Sequence, residues 1–254
     1  MPKSPYDSTE IAAGRNAVRE ALKSGRPVDS LYIARGGRSG SIGGIIALAK
    51  ERGIPVKEVD PKKLDEMCGG TVNQGVAASA AAVAYSSFDD VFALAEKRGE
   101  KPFIIIADGL EDVHNLGAVI RVAECAGAHG VVIPERHGAG LTAAVGRASA
   151  GAVEYVPVVR VKNIPSALEE LKKRGVWIYA ADTGGQSWCG TDFTGPLAIV
   201  IGSEGGGVGR LVKEKSDFVV SLPLKGKINS LNASVACGAI CYEVVRQRGG
   251  AGCL

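Results

Sequence analysis

Apolar positions along the first third of the chain change repeatedly between a helical spacing and short continuous runs. This pattern predicts alternating helices and strands. The predicted elements are a helix over 11–25, a strand over 30–35, a helix over 43–53, a strand over 54–60, a short helix over 61–70 and a strand over 75–85. Gly25 and Gly53 end the two longer helices. Together these elements make an α/β unit of about 80 residues, which is a normal size for a domain.

A polar connector separates this unit from the rest of the chain. Within it, Ser87 and Asp90 have the spacing of a capping box, with Asp in place of the usual Glu or Gln. We therefore predict that a second domain begins after this connector. The predicted bounds are a first domain over 6–85, a linker over 86–101 and a second domain over 102–254.

The second part of the sequence repeats short apolar runs with helical stretches between most of them. The predicted strands lie at 103–107, 131–133, 155–159, 177–181, 197–201 and 218–222. The predicted helices lie around 117–128, 142–150, 164–174 and 232–247. Because the apolar runs are nearly continuous, both faces of each strand are expected to be buried. The pattern favours an α/β fold with a parallel sheet between helices.

The composition is that of a globular protein, and the positions of the cysteines do not suggest a metal site. The chain has 254 residues, of which 46% are hydrophobic and 22% charged. No apolar run approaches the roughly 18 residues of a membrane span, and the first residues do not resemble a signal peptide, so we expect a cytoplasmic protein. The cysteines form no CxxC pair, and the histidines lie far from any cysteine pair. We expect small buried thiols and no bound metal.

The net charge of +3 is small, but the basic residues are unevenly distributed. Six bases and two acids lie between Arg15 and Arg38, and seven bases and four acids lie from Val200 to the end. Such runs can be ordinary solvated surface, or they can be two phosphate-facing patches that flank a site. Charge alone leaves both interpretations open.

Five glycines surround Glu204 directly after the predicted strand at 197–201. Ligands of parallel α/β sheets bind at the carboxyl ends of the strands, so this loop is a candidate site. The glycines lack the G-x-G-x-x-G spacing of a dinucleotide-binding loop, and no Gly-Lys-Ser/Thr of a P-loop occurs. A carboxylate would also repel a pyrophosphate. The loop argues against a nucleotide-dependent oxidoreductase and suits close backbone contact with a polar or cationic ligand.

Two other loops after predicted strands carry polar side chains. Asn115 and Arg121 lie six residues apart after the first strand of the second domain. If Asn115 caps the following helix, Arg121 lies near the end of its second turn; a cap and a surface arginine are the alternative interpretation. Ser230 and Asn232 precede the last predicted helix. They can be simple capping residues, although lysines and further polar residues crowd the same loop.

Three segments together resemble a known family. NLGAVIR, VIGSEGGGVG and LPLKGKINSLNASVA are similar, in this order, to the three signature motifs of the SpoU/TrmH-type RNA ribose 2′-O-methyltransferases of the SPOUT superfamily. This match spans about residues 100–248. The early segment from GRNAVREAL to VNQGVAA resembles the ribosomal-protein-like RNA-binding domain of RlmB-like enzymes, which methylate a guanosine of 23S ribosomal RNA. The resemblance is thus nearly full length.

The resemblance implies a fold, a cofactor and an assembly. The fold is a trefoil-knotted parallel-sheet methyltransferase domain preceded by a small α/β RNA-binding domain, the cofactor is S-adenosylmethionine, and the assembly is a homodimer. The residues implied to line the cofactor site are Gly202, Leu222, Leu231, Ala181, Ile201, Ile228 and Asn232. The residues implied to act in catalysis are Asn115, Arg121, Glu204, Ser230 and Asn232.

The implied reaction accounts for these residue types. A ribose 2′-hydroxyl is a weak nucleophile until its proton leaves, so catalysis needs orientation and charge stabilisation. Because a guanidinium keeps its protons, we assign Arg121 the role of a clamp on the neighbouring phosphate and the developing alkoxide. A phosphate oxygen or water is then the base. Glu204 can pair with Arg121 or fix its own loop.

The predicted function is methylation of a guanosine in the peptidyl-transferase region of 23S ribosomal RNA. Methylation of transfer RNA, or of a ribosomal adenosine as in thiostrepton-resistance enzymes, is the alternative within the same class. A non-catalytic RNA-binding assembly factor is the alternative of another class. The five intact catalytic positions count against that last interpretation.

Overall fold

The computed structural model describes residues 9–36 and 40–249. These residues form two compact units. The first contains the described residues up to Ala84 together with Leu141–Tyr155, and the second contains Tyr85–Gly140 and the described residues from Val156 onward. Arg38 of the first basic run and Cys253 lie outside the described residues.

A four-stranded sheet with helices forms most of the first unit. Its elements are β1 (Thr9–Ala13), α1 (Arg15–Lys23), β2 (Val28–Ala34), α2 (Ser41–Glu51), β3 (Val56–Val59), α3 (Pro61–Met67) and β4 (Val76–Ala81). The strand order is β1-β4-β2-β3, with β2 and β3 parallel and the other neighbours antiparallel. Val18 and Leu22 of α1 share one core with Leu31 and Ile33 of β2. The predicted alternation of helices and strands is confirmed from α1 onward.

The segment predicted as one helix over 11–25 is a strand followed by a helix. Thr9–Ala13 pairs with β4 in antiparallel register, and the helix begins at Arg15. Gly14, with a φ of +97°, separates the two elements, and its N–H donates to the Val76 carbonyl at 3.1 Å. A short run of Ile and Ala fits both the helical and the strand spacing of apolar residues, so the pairing with β4 decides which element forms.

A six-stranded sheet with helices forms the second unit. Its elements are α4 (Phe88–Arg98), β5 (Phe103–Asp108), α5 (Val113–Cys125), β6 (Gly130–Pro134), β7 (Val158–Val161), α7 (Ile164–Lys173), β8 (Trp177–Ser187), β9 (Leu197–Gly202), α8 (Arg210–Lys215), β10 (Phe218–Ser221) and α9 (Ala233–Arg248). The remaining helix, α6 (Ala143–Ala148), belongs to the first unit. The strands are parallel throughout, in the order β10-β8-β9-β5-β6-β7. The predicted parallel sheet is confirmed.

The central strands of this sheet are buried. All six residues of β9 and five of the six residues of β5 are buried. Leu168 and Leu171 of α7 share a core cluster with Ile104 of β5 and Val200 of β9. Burial from both faces explains why these strands have continuous apolar sequences instead of alternating ones.

The segment predicted as a linker contains α4 and belongs to the second unit. Ser87 Oγ accepts a hydrogen bond from Asp90 N at 3.2 Å, and the Asp90 carboxylate accepts from Ser87 N at 2.7 Å. This backbone hydrogen bond lowers the pKa of Asp90. The predicted capping box is confirmed. Phe88 and Val91 then pack in the core of the second unit.

Leu141–Tyr155 packs with the first unit, although the predicted domain bounds assign it to the second. It contains α6 and a short 3-10 turn. Glu154 forms an ion pair with Arg26 at 2.8 Å, and the Tyr155 hydroxyl donates to Glu20 at 2.6 Å. The compact units therefore differ from the predicted domains at this segment.

No helix in 9–36 or 40–249 is long and apolar enough to cross a bilayer. Within these ranges no three His, Cys, Asp or Glu side chains are grouped as metal ligands would be. Cys125 and Cys189 are exposed, whereas Cys68, Cys237 and Cys241 are buried. The expectation of buried thiols is wrong for the first two, because small neighbours in sequence do not fix the burial of a helix end or a turn.

Candidate active site

Three neighbouring strands of the second unit end side by side. Gly202, at the end of β9, pairs with Asp108 of β5, and Ile201 pairs with Ala181 of β8 on the other side. Because parallel strands present their carboxyl ends at one edge, the segments that follow them meet there. α9 packs against both β9 and α5. Its first turn therefore joins the same site.

The glycine cluster forms a tight turn after β9. Ser203 and Gly207 exchange two backbone N–H to O hydrogen bonds, at 3.1 and 2.9 Å. A Cβ added at Gly202 would lie 2.0 Å from the carbonyl carbon of Gly207, so only glycine fits there. Gly207 has a φ of +64°, which also favours glycine. The glycines let the turn fold back closely onto the end of the strand.

Glu204, in this turn, joins two asparagines in one hydrogen-bonded network. Asn115 Nδ2 donates to Glu204 Oε1 at 3.0 Å. Asn232 Nδ2 donates to the same carboxylate oxygen and to Asn115 Oδ1, the latter at 3.0 Å. Hydrogen bonds to an ionised acceptor are stronger than neutral ones. Three residues that the resemblance implies in catalysis, from three separate elements, thus hold one another in place.

The two asparagines occupy different positions in their helices. Asn232 caps α9, because its Oδ1 accepts from the backbone N–H groups two and three residues later, at 3.0 and 3.2 Å. Asn115 does not cap α5; Asp112 does. The expectation that Asn115 is the cap is wrong, because the helix begins earlier than predicted. Asn115 is a buried residue of the first turn, and its side chain is free to bond Glu204.

Arg121 and Ser230 are not part of this network. Arg121 is exposed on α5, and among the described residues its guanidinium makes no hydrogen bond or ion pair. Ser230 is exposed and lines the cavity beside the glycine turn. The Glu204 carboxylate bonds the two asparagines and not Arg121. The role of Glu204 in catalysis stays a prediction.

A cavity of about 330 Å³ lies beside the glycine turn, within the size range of small-molecule pockets. The residues of its wall that were predicted for the cofactor are Ala181, Ile201, Gly202, Leu222 and Leu231. Ile228 is 74% exposed and lies outside this wall, and Asn232 belongs to the hydrogen-bonded network instead. The cofactor roles of all seven residues stay predictions.

The wall also contains residues that the sequence did not single out. They are Asp182, Thr183, Val220, Leu224, Asn229, Ala233, Ala236 and Ile240, besides further residues of the glycine turn. Asp182 follows the predicted strand at 177–181, and the rule that ligands bind at strand ends could have identified it. Ala236 and Ile240 are helical residues without a polar group, so their sequence gave no sign of a ligand.

A second cavity, of about 340 Å³, shares Ser203 and Glu204 with the first. The rest of its wall is Asn115 and the segment 109–112 before α5. Glu204 therefore lies in the wall common to two cavities. Its carboxylate is fixed by groups from both α5 and α9.

The first cavity suits S-adenosylmethionine by the chemistry of its wall. Leu222, Leu224 and Leu231 offer apolar surface for an adenine ring. Glu204 offers negative charge to a ligand that carries a sulfonium and an ammonium group. The glycine turn lets backbone groups approach the ligand closely. The residues present fit this cofactor.

The fold and the site define a methyltransferase, and comparison with known proteins gives its family. Residues 102–242 match the SpoU rRNA Methylase family, and residues 11–86 match the RNA 2′-O ribose methyltransferase substrate-binding family. The chain is 49% identical over 240 residues to the putative TrmH family tRNA/rRNA methyltransferase YacO of Bacillus subtilis, over 94% of this chain and 96% of that one. The chain belongs to the SpoU family of RNA methyltransferases. It is an S-adenosylmethionine-dependent RNA 2′-O-methyltransferase.

Solved structures agree with this assignment. The SpoU methyltransferase AviRb of Streptomyces viridochromogenes is 25% identical, with a TM-score of 0.79 over 94% of this chain and 90% of that one. AviRb in complex with AdoMet has a TM-score of 0.76 at 24% identity. The TrmH/SpoU tRNA modifying enzyme of A. aeolicus is 30% identical, with a TM-score of 0.54, over 59% of this chain and 77% of that one. The predicted family, fold class and cofactor are confirmed, and the trefoil knot stays a prediction.

Proposed function

We propose that this enzyme methylates the 2′-hydroxyl of a guanosine in the peptidyl-transferase region of 23S ribosomal RNA. The observation that carries the proposal is the position of Glu204 in the wall shared by two cavities. One cavity suits the methyl donor, and the other, beside Asn115, offers space to a ribose. The resemblance to RlmB-like enzymes supports guanosine as the base. We also propose that the methyltransferase domain contains the trefoil knot that the resemblance implies.

The amino-terminal unit supports ribosomal RNA over transfer RNA. The tRNA modifying enzyme of A. aeolicus matches only 59% of this chain, whereas YacO and AviRb each match 94% of it. The substrate-binding family match lies in the amino-terminal part of this chain, over residues 11–86. Arg15 and Lys23 of α1 are exposed there and can neutralise phosphates.

Each part of the site has a role in the proposed reaction. S-adenosylmethionine, when bound, supplies an electrophilic methyl group. The network of Asn115, Glu204 and Asn232 fixes the glycine turn between the two cavities, where the 2′-hydroxyl meets the methyl donor. Arg121 holds the neighbouring phosphate and stabilises the developing alkoxide, because a guanidinium offers a fork of donors and keeps its charge. The proton passes to a phosphate oxygen or to water.

We also propose a cytoplasmic homodimer that pairs through α9. Val235 is 56% exposed and Tyr242 is 53% exposed, and their spacing of seven residues places both on one face of the helix. A symmetric dimer buries the same patch on both copies, so a second copy of this chain covers these side chains. Sedimentation at twice the mass of the chain supports the proposal, and sedimentation as a monomer contradicts it.

Methylation of isolated RNA tests the proposed target. Purified protein and labelled S-adenosylmethionine are incubated with ribosomal RNA from a strain that lacks this gene, and ribose methylation is then mapped. We expect one new 2′-O-methylguanosine in 23S RNA. Incorporation only into transfer RNA, or at an adenosine, contradicts the assigned target and supports the alternatives within the class. No incorporation into either RNA contradicts the catalytic assignment and favours an RNA-binding assembly factor.

A further inference from the structure

Asp182 lies in an irregular part of β8, next to the predicted cofactor cavity. β8 pairs with β10 at Ala180 and again at Gln186, whereas the partners on β10, Val219 and Val220, are consecutive. Residues 181–185 of β8 therefore have no partner on β10 and bulge out of that pairing, although Ala181 still pairs with Ile201 of β9. Bulges of this kind redirect side chains and are frequent next to active sites. Here the bulge contributes Asp182 to the cavity wall.

The carboxylate of Asp182 is held in a fixed position. Lys213 Nζ lies 2.6 Å from Oδ2, and Thr183 N donates to Oδ1 at 2.6 Å. The side chain is only 16% exposed. A Cβ at Gly207 would lie 3.5 Å from Oδ1, so the glycine turn packs closely beside it. This acid is absent from the set of residues that the family motifs imply.

We propose that Asp182 binds the ribose hydroxyls of the adenosine part of S-adenosylmethionine. The Thr183 hydroxyl is a third donor to Asp182, at 3.4 Å from Oδ1. A carboxylate has room for about four hydrogen bonds, so one position remains for a ribose hydroxyl, and rotation of the Thr183 hydroxyl releases a second for the diol. Carboxylates at the ends of strands bind ribose hydroxyls in other α/β folds. The ammonium group of the cofactor is the poorer partner, because Lys213 already neutralises Asp182 and would repel a second cation. The inference depends on the proposed position of the cofactor in this cavity.

Ligand binding by isothermal titration separates the ribose from the rest of the cofactor. The probes are S-adenosylhomocysteine, 5′-methylthioadenosine, which has the ribose but no amino-acid part, and 2′,3′-dideoxy-5′-methylthioadenosine. We expect the wild-type chain to bind methylthioadenosine about tenfold more tightly than its dideoxy form. In Asp182→Asn we expect both S-adenosylhomocysteine and methylthioadenosine to bind about tenfold more weakly, with the preference for the diol largely lost.

Other outcomes overturn the inference in distinguishable ways. If Asp182→Asn weakens S-adenosylhomocysteine but not methylthioadenosine, the acid contacts the amino-acid part instead. If the wild-type chain does not discriminate against the dideoxy ligand, no side chain binds the diol; this result is independent of how well the variant folds. If the wild-type chain binds none of the three probes, the proposed position of the cofactor fails as well. Glu214→Gln, an exposed acid on α8 outside the cavity wall, is the matched control and should bind like the wild type.

Discussion

The residues implied in catalysis fall into two groups with opposite surroundings. Asn115, Glu204 and Asn232 bond one another through three hydrogen bonds. Arg121 and Ser230 are exposed, and within the described residues Arg121 has no hydrogen-bonding or ionic partner. The first group is bonded within the chain itself, whereas the side chains of the second group face solvent. In the proposed mechanism the network therefore positions the site and Arg121 acts on the RNA.

The largest expected effect is that of Arg121→Ala. Loss of a donor that stabilises transition-state charge costs about 10³-fold in turnover. Binding of S-adenosylhomocysteine should not change, because Arg121 is no part of the cofactor cavity. Methylation kinetics and titration of the cofactor measure the two quantities on the same preparation.

Arg210→Ala is the matched control for this variant. Arg210 lies on α8, and its side chain is 91% exposed. It should show wild-type turnover. Turnover like that of the wild type in Arg121→Ala would remove Arg121 from the mechanism and erase the distinction between the two groups.

A smaller effect is expected for Asn232→Ser. Serine caps helices about as well as asparagine, so α9 stays capped, but the amide that bonds Glu204 and Asn115 is lost. We expect turnover to fall about 10²-fold, with a loss of stability of only about 1 kcal/mol per hydrogen bond removed, measured by thermal unfolding. Asn163→Ser is the control, since Asn163 caps α7 in the same way outside both cavities. If Asn232→Ser keeps full turnover, the network is only a helix cap.

Much of the fold could be predicted from the sequence, because buried strands and amphipathic helices have distinct patterns. The parallel sheet, the capping box at Ser87 and the cap at Asn232 all follow from local rules. Pairing between segments that are distant in sequence does not follow from local rules. β1 was predicted as helix because its few apolar residues fit both periods, and only its hydrogen bonds to β4 distinguish them.

For the site as well, the sequence predicted which residues belong to it but not how their side chains contact one another. The motifs named Glu204 and both asparagines, but nothing in their spacing indicates that one carboxylate oxygen accepts from both amides. The start of α5 at Val113, instead of after Asn115, decides this arrangement. Asp182 was missed because a bulge places it in the wall, and the bulge depends on the register between β8 and β10.

In the proposed mechanism, Glu204 positions the site and Arg121 stabilises the reacting charge. The most direct test compares the single-turnover rates of Glu204→Gln and Arg121→Ala at saturating cofactor and RNA. The Gln side chain retains an oxygen that can accept from Asn115 and Asn232, so we expect a loss of only about tenfold, against about 10³-fold for Arg121→Ala. Equal losses in the two variants would contradict the claim, because they would make the Glu204 charge itself, and with it proton removal, essential to the reaction.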